Sequence, residues 1–186
     1  MDNFIPLEDL GCTFKLMNHS EIKPDKMLVS VCGLFCPSCS IYISTREENV
    51  ENLQRISERM QVPFSEIRCN GCRSKTLTAY CKNCHMRICA AEKGIDFCGE
   101  CPDYPCLEIK DFQSQKPHRA EVWKSQERIK EIGWEKWYLE MAEYYSCKAC
   151  GTMNGWYDFK CRNCGNTPGS QFVENNQEAL KSIFKS

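Results

Sequence analysis

The chain has 186 residues, and its 24 basic and 25 acidic side chains give a formal net charge of -1. This balance excludes a bulk polycation that coats nucleic acid or membranes, and a hydrophobic fraction of 42% excludes wholesale disorder. The composition departs from that of an ordinary globular protein in one respect, because 16 of the residues are cysteine.

The cysteines recur at one spacing. Six C-x-x-C pairs occur, at positions 36/39, 69/72, 81/84, 98/101, 147/150 and 161/164. A C-x-x-C turn directs two thiolates at one point in space, as a tetrahedral metal site requires. Disulfide frameworks of secreted proteins join distant loops instead. We therefore interpret the cysteines as metal ligands.

The beginning of the chain carries no targeting signal that we recognise. Residues 1–9 lack the basic and apolar regions of a signal peptide. The longest apolar stretch, at 27–35, is far shorter than the roughly 20 residues that cross a membrane. We expect a cytoplasmic protein without membrane contact, in a reducing compartment that leaves thiols free for metal.

The first predicted elements lie between the N-terminus and Pro63. Residues 1–26 are predicted to form an extension, and 27–31 a short strand. A helix of about 15 residues is then predicted from a capping box at 45–48 to Pro63. Its apolar residues recur at helical spacing and are expected to pack on the core: Val50, Leu53, Ile56 and Met60.

The first cysteine cluster has three members and no visible fourth ligand: Cys32, Cys36 and Cys39. The fourth ligand could be Cys12, His85, a cysteine from the central segment, or water. Water would make this an open metal site of the catalytic type. The C-x3-C-x2-C spacing also occurs in iron–sulfur enzymes of the radical-SAM type, but Ser38 stands where an aromatic residue usually precedes the last cysteine.

The central segment is the densest part of a predicted cysteine-rich domain over 27–112. It holds eight cysteines in 38 positions: Cys69, Cys72, Cys81, Cys84, Cys89, Cys98, Cys101 and Cys106. The simplest pairing gives the first four to one zinc and the last four to another. Interleaved pairing is equally allowed by the spacing, and His85 could replace a thiolate.

The charges of the cysteine-rich domain alternate along the chain. Residues 68–93 carry six basic side chains and one acidic one, whereas 94–111 carry five acidic side chains and one basic one. Each four-thiolate zinc has a net charge of -2, so the basic stretch is expected mainly to compensate its own metals. Nucleic acid is the less favoured partner, because Tyr80 is the only aromatic residue there that could stack on a base.

Residues 113–146 are predicted to be helical. Pro117 suits a first helical position, and Gly133 is predicted to separate two helices. We expect the three tryptophans here to bury the helices against the metal loops, with an exposed aromatic face for a partner as the alternative: Trp123, Trp134 and Trp137.

Residues 147–168 have the pattern of a zinc ribbon. Two C-x2-C-G knuckles supply four thiolates: Cys147, Cys150, Cys161 and Cys164. Such a closed tetrahedron leaves no position for a substrate, so the site is predicted to be structural. Trp156 and Tyr157 are expected to lie on a strand that covers the metal. Residues 169–186 form the predicted tail, which ends in a short helix with Phe172, Leu180, Ile183 and Phe184.

The ordered set of cysteines in 32–106, with Cys-Pro-Asp-Tyr-Pro-Cys at 101–106, resembles the cysteine-rich, prokaryotic domain-of-unknown-function family numbered 3795. Longer members resemble the chain further on, in Pro117-His118-Arg119, in 129–133 and in a terminal ribbon with Trp156-Tyr157-Asp158. The resemblance covers about 32–165 and implies zinc binding. It leaves out Cys12 and implies no activity.

Together these observations predict a small, metal-organised α+β protein in which cysteine loops and packed helices precede a zinc ribbon. We expect several Zn²⁺ ions at mainly structural four-cysteine sites, and a macromolecular partner, more often protein than nucleic acid. An iron–sulfur or redox protein, or an enzyme with an open metal at the first cluster, is the alternative. For the enzyme, the candidate acids and bases are Glu100, Asp103 and His118. No catalytic residue is assigned.

Overall fold

A computed structural model describes residues 22–182 of the chain. Cys12, Ile183 and Phe184, to which the sequence assigned tentative roles, lie outside this range. The described part is mainly helical, with α1 at Ser40–Arg46, α2 at Val50–Met60, α3 at Ala79–Lys82, α4 at His85–Lys93, α5 at Leu107–Ser114, α6 at Val122–Ile132, α7 at Trp134–Tyr144 and α8 at Gln171–Lys181. Short 3-10 turns lie at Lys26–Leu28, Cys36–Ser38, Phe64–Glu66, Cys98–Glu100 and Pro117–Arg119.

The β part of the expected α+β class is not supported. Within 22–182 the only β pairing consists of two isolated bridges, Val29 with Phe35 and Ser146 with Met153. The predicted strand at 27–31 was wrong. Its first residues form the 3-10 turn, which is capped by the Asp25 side chain, and no neighbouring strand offers a ladder of hydrogen bonds.

Helix α2 confirms the predicted helix but corrects its start. The N-cap is Asn49, whose side chain accepts a hydrogen bond from the N–H of Asn52. The expected capping box at 45–48 was wrong, because Thr45 belongs to the preceding helix α1 and donates to the carbonyl of Ile41 at 2.8 Å. Leu53 and Ile56 are buried, whereas the other two residues of the predicted stripe, Val50 and Met60, are exposed.

The predicted pair of helices around Gly133 is confirmed. Pro117 begins a 3-10 turn, α6 ends at Ile132, and Gly133 lies between α6 and α7. The tryptophans differ in exposure, and each of the two alternatives, burial and an exposed aromatic face, applies to one of them. Trp137 is fully buried and meets the ring of Phe35 edge-on at 5.8 Å, whereas Trp123 is exposed.

One hydrophobic core joins segments that are far apart in sequence. Around Phe35, in the first cysteine loop, lie Trp137, Tyr138 and Tyr145, with ring centroids within 5.1–5.8 Å of it. Phe172 of α8 packs on Tyr145 with the rings tilted by 33° and their centroids 4.8 Å apart, and it is fully buried. The predicted terminal helix therefore completes the core. The predicted domain boundaries remain predictions.

None of the helices within the described part of the chain is both long enough and apolar enough to span a membrane.

Candidate metal centres

The four cysteines of the predicted ribbon come together in the fold. The sulfur atoms of Cys147, Cys150, Cys161 and Cys164 all lie within 4.8 Å of one another. Cys147 lies 3.7 Å from Cys164, and Cys150 lies 3.6 Å from Cys161. Among residues 22–182, no other group of three or more Cys, His, Asp or Glu side chains brings its ligand atoms as close together. The four thiols could hold a metal ion.

Each half of the ribbon site is built by the same backbone turn. In the first knuckle, the N–H of Cys147 donates to the carbonyl of Thr152 at 2.9 Å, and the N–H of Gly151 donates back to Cys147 at 2.8 Å. Cys161 and Gly165 repeat this pattern in the second knuckle. The two glycines have φ of 72° and 73°, a left-handed conformation that favours glycine. A tight turn at a glycine therefore closes each knuckle.

Asn154 connects the two knuckles and was not anticipated from the sequence. Its buried side-chain amide donates to the carbonyls of Thr152 at 2.9 Å and Gly169 at 2.7 Å. Its carbonyl oxygen accepts the N–H of Arg162, next to the ligand Cys161, at 3.1 Å. One side chain thus fixes the loop after the first knuckle, the second knuckle and the entry to α8.

The ribbon thiols influence each other's ionisation. Burial acts to raise the pKa of Cys150, but hydrogen bonds with Thr152 and with neighbouring cysteines lower it to about 6. The N–H of Asn166 favours the Cys164 thiolate, yet hydrogen bonding to Cys150, then burial, raise the pKa of Cys164 to about 12. Some of the four sulfurs therefore stay protonated without a cation, and a bound cation would favour the ionised form of all four.

Trp156 and Tyr157 do not form the strand that was expected to cover the ribbon. They lie in a turn between the knuckles and contact His118 of the Pro117–Arg119 turn. The His118 ring stacks on Trp156 at 4.2 Å with 2° between the planes, and its Nδ1 lies 2.6 Å from the Tyr157 hydroxyl. Burial, then the charges of Arg119 and Lys116, lower the pKa of His118 to about 3. A neutral imidazole therefore joins the helical segment to the ribbon.

The three cysteines of the first cluster have different neighbours. The sulfur of Cys32 lies 3.3 Å from the hydroxyl of Ser30, and the charges of Cys72 and Cys84 act on it. Cys36 accepts the N–H of Cys72. Cys39 accepts N–H groups from the first turn of α1, and the charge that acts on it is that of Cys81. The charge of Cys72 acts on both Cys32 and Cys36, and that of Cys32 acts on Cys36 as well. The neighbours differ in part, because Cys84 acts on Cys32 and Cys81 acts on Cys39.

The central cysteines complete these contacts. The Cys69 side chain is hydrogen-bonded to that of Cys81, and the charges of Cys39 and Cys36 act on it. Cys72 accepts the N–H of Val31 and interacts most strongly with Cys84. The first loop and the segment around 69–84 are therefore interleaved.

Burial strongly affects these thiols. Burial, with the charge of Cys72 second, raises the pKa of Cys32 to about 12 and that of Cys36 well above the ordinary value. Burial, with the charge of Cys32 second, raises the pKa of Cys98 to about 12. Thiols packed together in this way remain neutral at physiological pH unless a cation compensates their charge.

Arg73 and Gln126 position the cysteine loops, and the sequence pattern did not reveal either of them. Arg73 donates from Nε to the carbonyl of Val29 at 3.1 Å and from its guanidinium to the backbone carbonyl of Asp96, and it lies 5.0 Å from the centre of the Phe97 ring. Gln126, 1% exposed on α6, contacts the first loop and the 98–101 turn.

The remaining candidate ligands and acids have other partners. His85 is exposed, and its Nδ1 lies 3.6 Å from a carboxylate oxygen of Glu108. Glu100 accepts the N–H of Asp96 at 2.9 Å, and Asp103 pairs with Lys93 at 2.9 Å. The structure does not gather Glu100, Asp103 and His118 into one close group.

Comparison with known proteins supports the resemblance noted in the sequence over part of its length. Residues 28–111 match the model of a family described as "Protein of unknown function (DUF3795)". The match spans the cysteine-rich segment, less than half of the 186 residues, and ends before the ribbon. No curated protein and no solved structure matches the chain significantly.

Proposed function

We propose that this protein binds several Zn²⁺ ions at mainly structural four-cysteine sites and acts through its surface on a macromolecular partner. The observation that carries the proposal is the convergence of Cys147, Cys150, Cys161 and Cys164. Thiolate sulfur is a preferred ligand of zinc, and two facing knuckles match the tetrahedral arrangement that structural zinc adopts. Four thiolates leave no coordination position for a substrate.

The contacts of the basic side chains favour a protein partner over nucleic acid. In the basic stretch 68–93, Arg73 binds backbone carbonyls, Arg87 donates to the carbonyls of Cys81 and Lys82, and Lys93 pairs with Asp103. Because these three cations bond to groups of the cysteine loops, they are less available to contact a phosphate backbone. A cytoplasmic location remains our expectation from the sequence.

The alternatives have less support. An iron–sulfur cluster on the first three cysteines, or an open metal ion there, requires the three sulfurs to face one point. Among residues 22–182 the only such close group of ligands is that of the ribbon cysteines, and Cys32, Cys36 and Cys39 do not form one. Thiolate ligands alone do not distinguish zinc from iron, so metal content must decide.

The test is elemental analysis of the full chain purified without oxygen. We expect a colourless protein that retains several Zn²⁺ ions per chain after extensive dialysis. A brown protein with bound iron and sulfide would establish the iron–sulfur alternative, and one zinc ion or none would overturn the proposal.

The partner class is tested by electrophoretic mobility of labelled RNA and double-stranded DNA with the zinc-loaded protein. We expect no shift at low salt. A shift that weakens steeply with added salt would show phosphate contacts and favour nucleic acid.

A further inference from the structure

The ribbon cysteines differ in how far they are open to solvent. Among the cysteines of residues 22–182, Cys164 alone is exposed, and every other one is buried or intermediate. We propose that Cys164 is the site at which a peroxide oxidises this protein, and that Cys147 then forms a disulfide with it and removes two ligands of the ribbon metal. This inference rests on the proposed function and adds a regulation of its ribbon site.

Exposure selects Cys164 within the ribbon. A peroxide must reach a sulfur atom before it can oxidise it, so accessible thiols react first and buried ones are protected. Cys147 and Cys161 are only 2% and 3% exposed, and Cys150 is intermediate. The four sulfurs therefore form a site that an oxidant reaches from the side of Cys164.

The sulfur of Cys164 has a buried partner within reach. The sulfur of Cys147 lies 3.7 Å from it, and side-chain rotations that bring the two atoms to about 2.05 Å would form a disulfide. A protected thiol next to an accessible one is the arrangement of a resolving cysteine, which attacks its neighbour once that neighbour is oxidised. Cys150 and Cys161 repeat the arrangement, with sulfurs 3.6 Å apart and the second of them buried.

The oxidation has two steps, and hydrogen peroxide is the oxidant. Metal-binding cysteines are thiolates. In the first step the Cys164 thiolate attacks one peroxide oxygen, the O–O bond breaks, hydroxide leaves, and Cys164 becomes a sulfenic acid. In the second step the Cys147 thiolate attacks that sulfur, the S–O bond breaks and a second hydroxide leaves. The two sulfurs lose two electrons and the peroxide gains them, so the product is a disulfide between Cys147 and Cys164.

The disulfide removes two of the four thiolates of the ribbon. Structural zinc is held by four ligands, so Cys150 and Cys161 alone should not retain the ion. The disulfide nevertheless joins the same two knuckles that a metal ion would join, and the Asn154 amide still connects them. We therefore expect the oxidised ribbon to stay closed, and a thiol reductant with Zn²⁺ should restore the loaded site.

The test is a titration of the zinc-loaded full chain with hydrogen peroxide in the absence of oxygen. Released Zn²⁺ is followed with a chromophoric chelator, and disulfides are located by mass spectrometry of peptides after alkylation of the free thiols. At low peroxide we expect the release of about one Zn²⁺ ion per chain and a disulfide between Cys147 and Cys164. The cysteines between 32 and 106, which are buried or intermediate, should remain free thiols or metal ligands at that stage.

Two variants of the first knuckle distinguish the resolving cysteine from a simple ligand. Cys147→Ser and Cys150→Ser each remove one thiolate from the ribbon, but only the first removes the thiol that attacks Cys164. With dimedone, which traps sulfenic acids, we expect an adduct at Cys164 to accumulate in Cys147→Ser. In Cys150→Ser the disulfide should form and the adduct should stay at the wild-type level. Equal labelling of the two variants would overturn resolution by Cys147, and the wild-type peptide map decides if the variants fail to fold.

The other outcomes separate this inference from the proposed function. A first disulfide at any other pair, or oxidation that begins among the cysteines between 32 and 106, would overturn the assignment of Cys164. Zinc that stays bound after the disulfide has formed would overturn the release of the ion. The proposed function stands in each of these cases. A chain that holds one zinc ion or none before peroxide is added would overturn the multi-zinc function instead, and the peptide map would still test Cys164.

Discussion

The side-chain amide of Gln126 donates a hydrogen bond of 3.0 Å to the backbone carbonyl of Val31, 95 positions earlier in the chain. Its carbonyl oxygen accepts the N–H of Gly99 at 2.7 Å. The side chain is buried, so α6 connects the loop that carries Cys32 to the turn that carries Cys98. Both the amide nitrogen and the amide oxygen of Gln126 are used for this purpose.

Replacing Gln126 by Met should therefore destabilise the fold while preserving side-chain volume. The part-buried N–H of Gly99 would lose its partner, and we expect a cost of about 1–3 kcal/mol. Urea unfolding in excess zinc measures it, and competition with a chelator should show faster loss of metal from the central segment.

The control for this substitution is Gln54→Met on the exposed face of α2, where the glutamine bonds only to the exposed Glu58. We expect a change within about 0.5 kcal/mol for the control. Equal stabilities of the two variants would show that the Gln126 bridge does not organise the loops.

The sequence was most informative where a local pattern suffices. The period of Leu53 and Ile56 predicted α2, and the repeated C-x2-C-G knuckles predicted the sulfur quartet at 147–164. Both patterns depend on residues within a short stretch of chain, so the geometry they require is local.

Features that depend on distant partners could not be predicted from the pattern. Residues 27–31 are rich in strand formers but have no strand to pair with, and Thr45 bonds within α1 and to Cys69 rather than capping α2. The charges of Cys72 and Cys84 act on Cys32 and that of Cys81 acts on Cys39, and spacing alone does not place these neighbours.

Arg73→Lys should destabilise the cysteine-rich segment although it keeps the charge. The guanidinium binds two backbone carbonyls and lies over the Phe97 ring, and an ammonium group does not reproduce that planar geometry. We expect a loss of about 1–3 kcal/mol by urea unfolding. Arg59→Lys, on the exposed surface of α2, is the matched control and should change little. A comparable effect of both substitutions would contradict the proposed role of the Arg73 guanidinium.

His118 should make the folded state sensitive to mild acid. Its pKa is lowered to about 3 in the folded chain, chiefly by burial, against about 6.5 when unfolded. Between these values the unfolded state binds more protons, so stability rises with pH and is lost as the pH falls below about 6.5. Relative to His118→Phe, the wild type should lose about 1.4 kcal/mol between about pH 7.5 and about pH 5.5.

Comparing the wild type with His118→Phe at each pH cancels the contribution of thiol protonation to stability, because both proteins have the same cysteines. Tyr157→Phe removes the hydroxyl that meets His118 but keeps the imidazole, so we expect its pH dependence to stay close to that of the wild type. A constant difference between wild type and His118→Phe would mean that His118 does not titrate on unfolding.

Asn154→Ala should weaken the ribbon through groups that do not bind metal. The buried amide bonds to two carbonyls and to the N–H of Arg162, and its loss leaves the buried carbonyl of Gly169 without this partner, at about 1–3 kcal/mol. Because the second knuckle is then no longer oriented, we expect about 10–100-fold weaker binding of one metal equivalent, measured by chelator competition. The control is Asn166→Ala. Residue 166 is exposed, and its backbone carbonyl still accepts the N–H of Cys161 after the substitution. If both variants released metal alike, orientation by Asn154 would be disproved.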